Sequence, residues 1–73
     1  MGARNPDGPA SCALLDADLQ IKRAIMSDAP YSTVAALRAL LHVAREMPGD
    51  ADCIAAAGHV NTLARALRMK AAA

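Results

Sequence analysis

The sequence predicts an all-α protein: a three-helix bundle, or a helical hairpin plus one further helix, assembling as a homodimer. Three observations carry this reading. Apolar residues recur with the 3.6-residue period of a helix in three separate blocks. Ser27-Asp28-Ala29-Pro30-Tyr31 and Pro48-Gly49 interrupt that period, and proline neither donates to a helix nor lets its predecessor stay helical. The apolar content, 55% of 73 residues, contains 19 alanines and no Phe or Trp, leaving 18 large apolar side chains once Met1 is set aside. A core so light is thin for a chain of this size. Such domains usually lean on disulfides, a metal, very regular packing or oligomerisation, and that deficit points to a homodimer or a partner-bound form.

Residues 1–10 hold two prolines, two glycines and an Asn-Pro pair, which favours turns and predicts a flexible N-terminal arm. A single helical domain is expected over 11–70. Its first helix spans about 11–26, with Ser11 as N-cap. Leu14, Ala17, Ile21, Ala24 and Ile25 share one stripe, Leu15, Leu19 and Met26 flank it, and Asp16, Gln20, Arg23 and Ser27 take the opposite, solvated face.

The second helix spans about 32–47, capped by Ser32 or Thr33 and ended by Pro48-Gly49. Val34, Leu37, Leu41 and Ala44 form its apolar row, with Leu40, Val43 and Met47 beside them. Arg38, His42, Arg45 and Glu46 form its wet face. Short breaks on both sides predict antiparallel packing against both neighbours.

The third helix spans about 51–70, started by Asp50 or Asp52, acids suited to a helix N-terminus. Cys53, Ala56, Ala57, Val60, Leu63, Ala64 and Leu67 make its core stripe. A second stripe, Ala55, Gly58, Thr62 and Ala66, is made of small residues that let two helix axes approach closely. Gly58 costs roughly 0.5–1 kcal/mol in a helix interior relative to alanine, so it either bends or breaks this element or serves close packing. Residues 71–73 extend the helix as a frayed tail.

Function classes fall away in turn. Net charge is +1, which gives no bias toward nucleic acid or membrane. No run reaches the ~18 apolar residues of a membrane span, and the polar start lacks the apolar segment of a signal peptide. A cytoplasmic location follows, with Cys12 and Cys53 as free thiols rather than a disulfide. The candidate metal ligands Cys12, His42, Cys53 and His59 lack Cys-x-x-Cys or His-pair spacing, so no metal or cofactor is expected. His42 reads as a solvated helix residue, and His59 as an interface or surface residue. Nucleophilic catalysis is disfavoured because Cys53 and His59 point in different directions on one helix. The single Glu and the capping role of the Asp residues leave no carboxylate pair for acid–base work. No enzyme is expected.

Residues Ile54 to Leu67 resemble a helix-turn-helix. The resemblance puts Gly58 at the turn and makes Asn61, Thr62, Arg65 and Arg68 the DNA contacts of a regulator using residues 54–68. The sequence departs from that pattern where Ile54 stands in place of a small residue, and in having too few residues between Gly58 and Arg65. A continuous core helix with a small-residue face is the preferred reading, and nucleic-acid binding is disfavoured.

What remains is a small protein–protein interaction module (regulator, inhibitor or adaptor) acting through a helical face. Its candidate face is Ala55, Gly58, His59, Thr62 and Ala66, and its partners are a second copy of itself and another protein. The bias to Ala and Arg matches a GC-rich bacterial or phage genome.

Overall fold

Gly8 and Pro9, not Ser11, open the first helix. Proline at the first helical position loses no hydrogen bond, and its φ is already helical. In the computed structural model, which describes residues 4–72, the order is α1 (Pro9–Met26), α2 (Tyr31–Glu46) and α3 (Asp50–Ala72). The described residues contain no strand. The three helices pack mutually, and α3 runs along α1 more extensively than either lies on α2.

Ser11 does not serve as the expected N-cap. Its hydroxyl donates to the Asn5 carbonyl at 2.7 Å, while Asn5 Oδ1 accepts the Asp7 amide at 3.0 Å. These bonds fold residues 5–8 into a turn. Arg4 goes further, as its guanidinium donates to Asp50 Oδ1 at 3.0 Å, to the Arg45 carbonyl at 3.2 Å and to the Met47 carbonyl. Residues 4–8 of the expected flexible arm are therefore tied down, and residues 1–3 lie outside the described residues.

α1 ends in a Schellman motif. The Ala29 amide reaches the Ala24 carbonyl at 3.1 Å, and the Asp28 amide reaches that of Ile25 at 3.0 Å. The motif needs a left-handed residue, and Asp28 supplies it at φ 60°. Asp tolerates that region better than most side chains. α2 then starts at Tyr31 with Pro30 as N-cap and no side-chain cap, rather than at Ser32 or Thr33.

The core contains Ala10, Leu14, Ala17 and Ile21 of α1, Val34, Leu37, Leu41 and Ala44 of α2, and Cys53, Ala57, Val60 and Ala64 of α3. Met47, Ala56 and Leu67 pack against it. The α2 row is the one expected, member for member. Two assignments on α1 and one on α3 are corrected. Ile25 and Leu63, expected in the core, are exposed. Gln20, expected on the wet face, is 5% exposed, and its Oε1 has no hydrogen-bond partner. Two neighbouring helices cover a wider arc of α1 than a single apolar stripe, and Gln20 falls inside that arc.

Candidate interaction faces

Every residue of the small stripe on α3 faces solvent. Ala55, Gly58, His59, Thr62 and Ala66 are exposed, on the side of the helix opposite buried Cys53, Ala57, Val60 and Ala64. α3 passes through Gly58 without a break. A Cβ built on Gly58 would meet nothing within 4 Å, so close packing inside the chain does not require this glycine. Thr62 turns its hydroxyl back on the helix, donating to the Gly58 carbonyl at 3.1 Å.

The continuity of α3 also bears on the helix-turn-helix resemblance, because the turn it places at Gly58 does not form. Of its contact residues, Thr62 and Arg65 are exposed while Asn61 and Arg68 are half-buried on the flank of the core.

α1 has a second apolar side, which its periodicity alone reads as a flank of the core stripe. Cys12, Leu15, Leu19 and Met26 fall on one helical line directly opposite the core residues Leu14, Ala17, Ile21 and Ala24. Leu15 is 65% exposed, Leu19 45% and Met26 85%. Asp16 and Arg23 stand along one edge of the line. Asp18 and Lys22 stand along the other, joined by an ion pair of 3.0 Å. The signal was present in the sequence as two apolar sectors on one helix, but periodicity alone does not say which of them a neighbour covers.

The candidate metal and redox residues are not assembled. Cys12 is exposed and Cys53 buried, both as free thiols, while His42 and His59 are exposed. Among the described residues no three His, Cys, Asp or Glu side chains are placed to hold a metal ion. No described helix is long and apolar enough to cross a membrane. The clefts are surface features. One lies between the N-terminal turn and α1, lined by Pro6, Ser11, Leu14, Leu15 and Asp18 with Arg4 and Arg45 above them. Another lies between the α1–α2 turn and the last turn of α3, beside Pro30, Leu67 and Lys70.

No protein-family model, characterised protein or solved structure gives a significant match to this chain.

Proposed function

We propose that this chain is a small non-enzymatic protein–protein interaction module, of the regulator, inhibitor or adaptor kind. It assembles as a homodimer in a reducing cytoplasm and engages a further protein through an outward helical face. One observation carries the reading: α1 and α3 each present a second apolar or small-residue side directly opposite the side that builds the core. Neither side is needed to build the core. Exposed apolar patches on small proteins mark contact sites more often than other features do, and the two free cysteines suit a reducing compartment.

Sedimentation velocity over a range of concentrations tests the assembly. The expected result is a closed monomer–dimer equilibrium. A strict monomer up to about 1 mM, far above the micromolar range of weak specific complexes, removes the homodimer from the reading. Continuing growth with concentration replaces the module by an open assembly subunit. A parallel titration with random-sequence DNA in about 50 mM salt, where phosphate contacts are strongest, is expected to show no binding. A steep salt-dependent affinity would return the helix-turn-helix regulator to first place.

A further inference from the structure

The outer side of α1 carries more than exposed leucines, because its charges are arranged to match a second copy of themselves. Along one edge of the Cys12–Leu15–Leu19–Met26 line, Asp16 lies toward the N-terminal half and Arg23 toward the C-terminal half, two turns apart. Along the other edge Asp18 precedes Lys22 in the same sense. When two such helices face each other antiparallel about a two-fold axis, each edge meets its own counterpart running the other way. Asp16 then stands opposite Arg23 of the second copy, and Asp18 opposite its Lys22. Both pairings are centred at Leu19–Gln20. With the axis there, Leu19 lies about 1.5 Å along the helix from its own counterpart and Leu15 about 3 Å from Met26 of the second copy, so the apolar line is covered in the alignment that the charges fix. A parallel pairing would place like charges opposite each other along both edges.

We propose that a second copy of this chain covers the outer face of α1, antiparallel, with the two-fold axis at Leu19–Gln20. This rests on the reading that the protein self-associates, and it assigns that contact to α1, leaving the small-residue side of α3 for the other partner. Within the chain, neither Asp16 nor Arg23 takes part in a salt bridge among the described residues, so both are available to the second copy. α1 has 18 residues and is about 27 Å long. A single helix pair of that length buries less than the roughly 800 Å² per partner of a standard interface. The dimer is therefore expected to be a weak, exchanging one.

Sedimentation equilibrium of the full chain and its variants provides the test. Leu19→Asp, and Leu15→Asp as a second variant at a more exposed position, are each expected to weaken the dimer at least tenfold while the helical circular dichroism is kept. Asp16→Arg alone and Arg23→Asp alone put like charges together, and each should weaken it about threefold to tenfold. The double exchange Asp16→Arg/Arg23→Asp should restore it. Gly58→Leu on α3 should leave it intact. Mild oxidation of Leu19→Cys in a Cys12→Ser background should yield a covalent dimer, whereas the native Cys12 pair, at opposite ends of an antiparallel contact, should not cross-link.

If the wild-type chain dimerises but both aspartate variants dimerise equally well, the assignment to α1 is overturned and self-association through another face stands. Failure of the double exchange to recover affinity, or ready cross-linking of native Cys12, overturns the antiparallel register. A wild-type chain that never dimerises overturns both this assignment and the homodimer on which it rests.

Discussion

At the scale of single residues, the least expected contributor is Arg4. Its guanidinium bridges the α2–α3 turn, donating to two carbonyls left free at the end of α2 and pairing with Asp50 in the first turn of α3. The Arg4 side chain is only 18% exposed, which shields these bonds in part from water. Hydrogen bonds from a charged donor are among the stronger ones in proteins. Arg4→Ala is expected to destabilise the fold by about 1–2 kcal/mol, seen as a fall in Tm of about 4–8 °C per kcal/mol for a domain of this size. An unchanged melting curve would show that the N-terminal turn adds nothing to the bundle. Gly58 gives the opposite prediction. It lies inside a helix, and a methyl group there would meet nothing within 4 Å. Gly58→Ala should therefore raise the stability of the free chain by about 0.5–1 kcal/mol, measured by urea denaturation. A loss of stability would mean that this backbone is already in close contact with something in solution. Nothing in the sequence pointed to Arg4, because its partners lie more than forty residues away and no local rule brings them together.

At the scale of elements, the core row of α2 is legible in the sequence although its start at Tyr31 is not, and α1 is legible only in part. Val34, Leu37, Leu41 and Ala44 form the buried row of a helix flanked by Pro30 and Pro48, while Leu40 and Val43 beside that row are exposed. α1 offers two apolar sectors, and choosing between them needs the positions of both neighbours. Periodicity alone therefore places Gln20 in solvent and Leu15 and Leu19 beside the core. Asp28 was missed as a left-handed cap because the expected residue at such a site is glycine. The α3 small-residue stripe was legible as a second face, though its exposure was not. The structure also gives the inner alanines a role. Ala17 and Ala24 of α1, and Ala57 and Ala64 of α3, are wholly buried, which suits the extensive packing of these two helices. Small-to-large changes in packed cores usually cost about 1–3 kcal/mol. Ala57→Leu should therefore lower the unfolding free energy obtained from urea denaturation by an amount in that range. Ala55→Leu, two residues away on the outer side, should change it little. Equal effects at both positions would mean that α3 is turned differently about its axis.

At the scale of the whole molecule, the described chain measures 42 × 19 × 16 Å, a narrow bundle whose long axis suits the length of α3. Leu15, Leu19, Met26, Val43 and Met69 are among its exposed large hydrophobic residues, while few large side chains fill the interior. Under the proposed dimer, stability and assembly are linked. A second copy that binds the folded chain and not the unfolded one stabilises it by mass action, and the gain grows with protein concentration. At a hundredfold excess over Kd the ligand-linkage relation gives about 2.7 kcal/mol for one binding event. Shared between two protomers, that is on the order of 1 kcal/mol each, or several degrees of Tm. Thermal melts from about one-tenth of Kd to about one hundred times Kd should therefore shift upward for the wild-type chain and for Gly58→Leu. Leu19→Asp should melt at one temperature throughout, because its folded state has no second copy to bind. A concentration-dependent Tm in Leu19→Asp equal to that of the wild type would place the stabilising contact elsewhere on the surface. A flat Tm in the wild type would mean that the light core holds this bundle together without help.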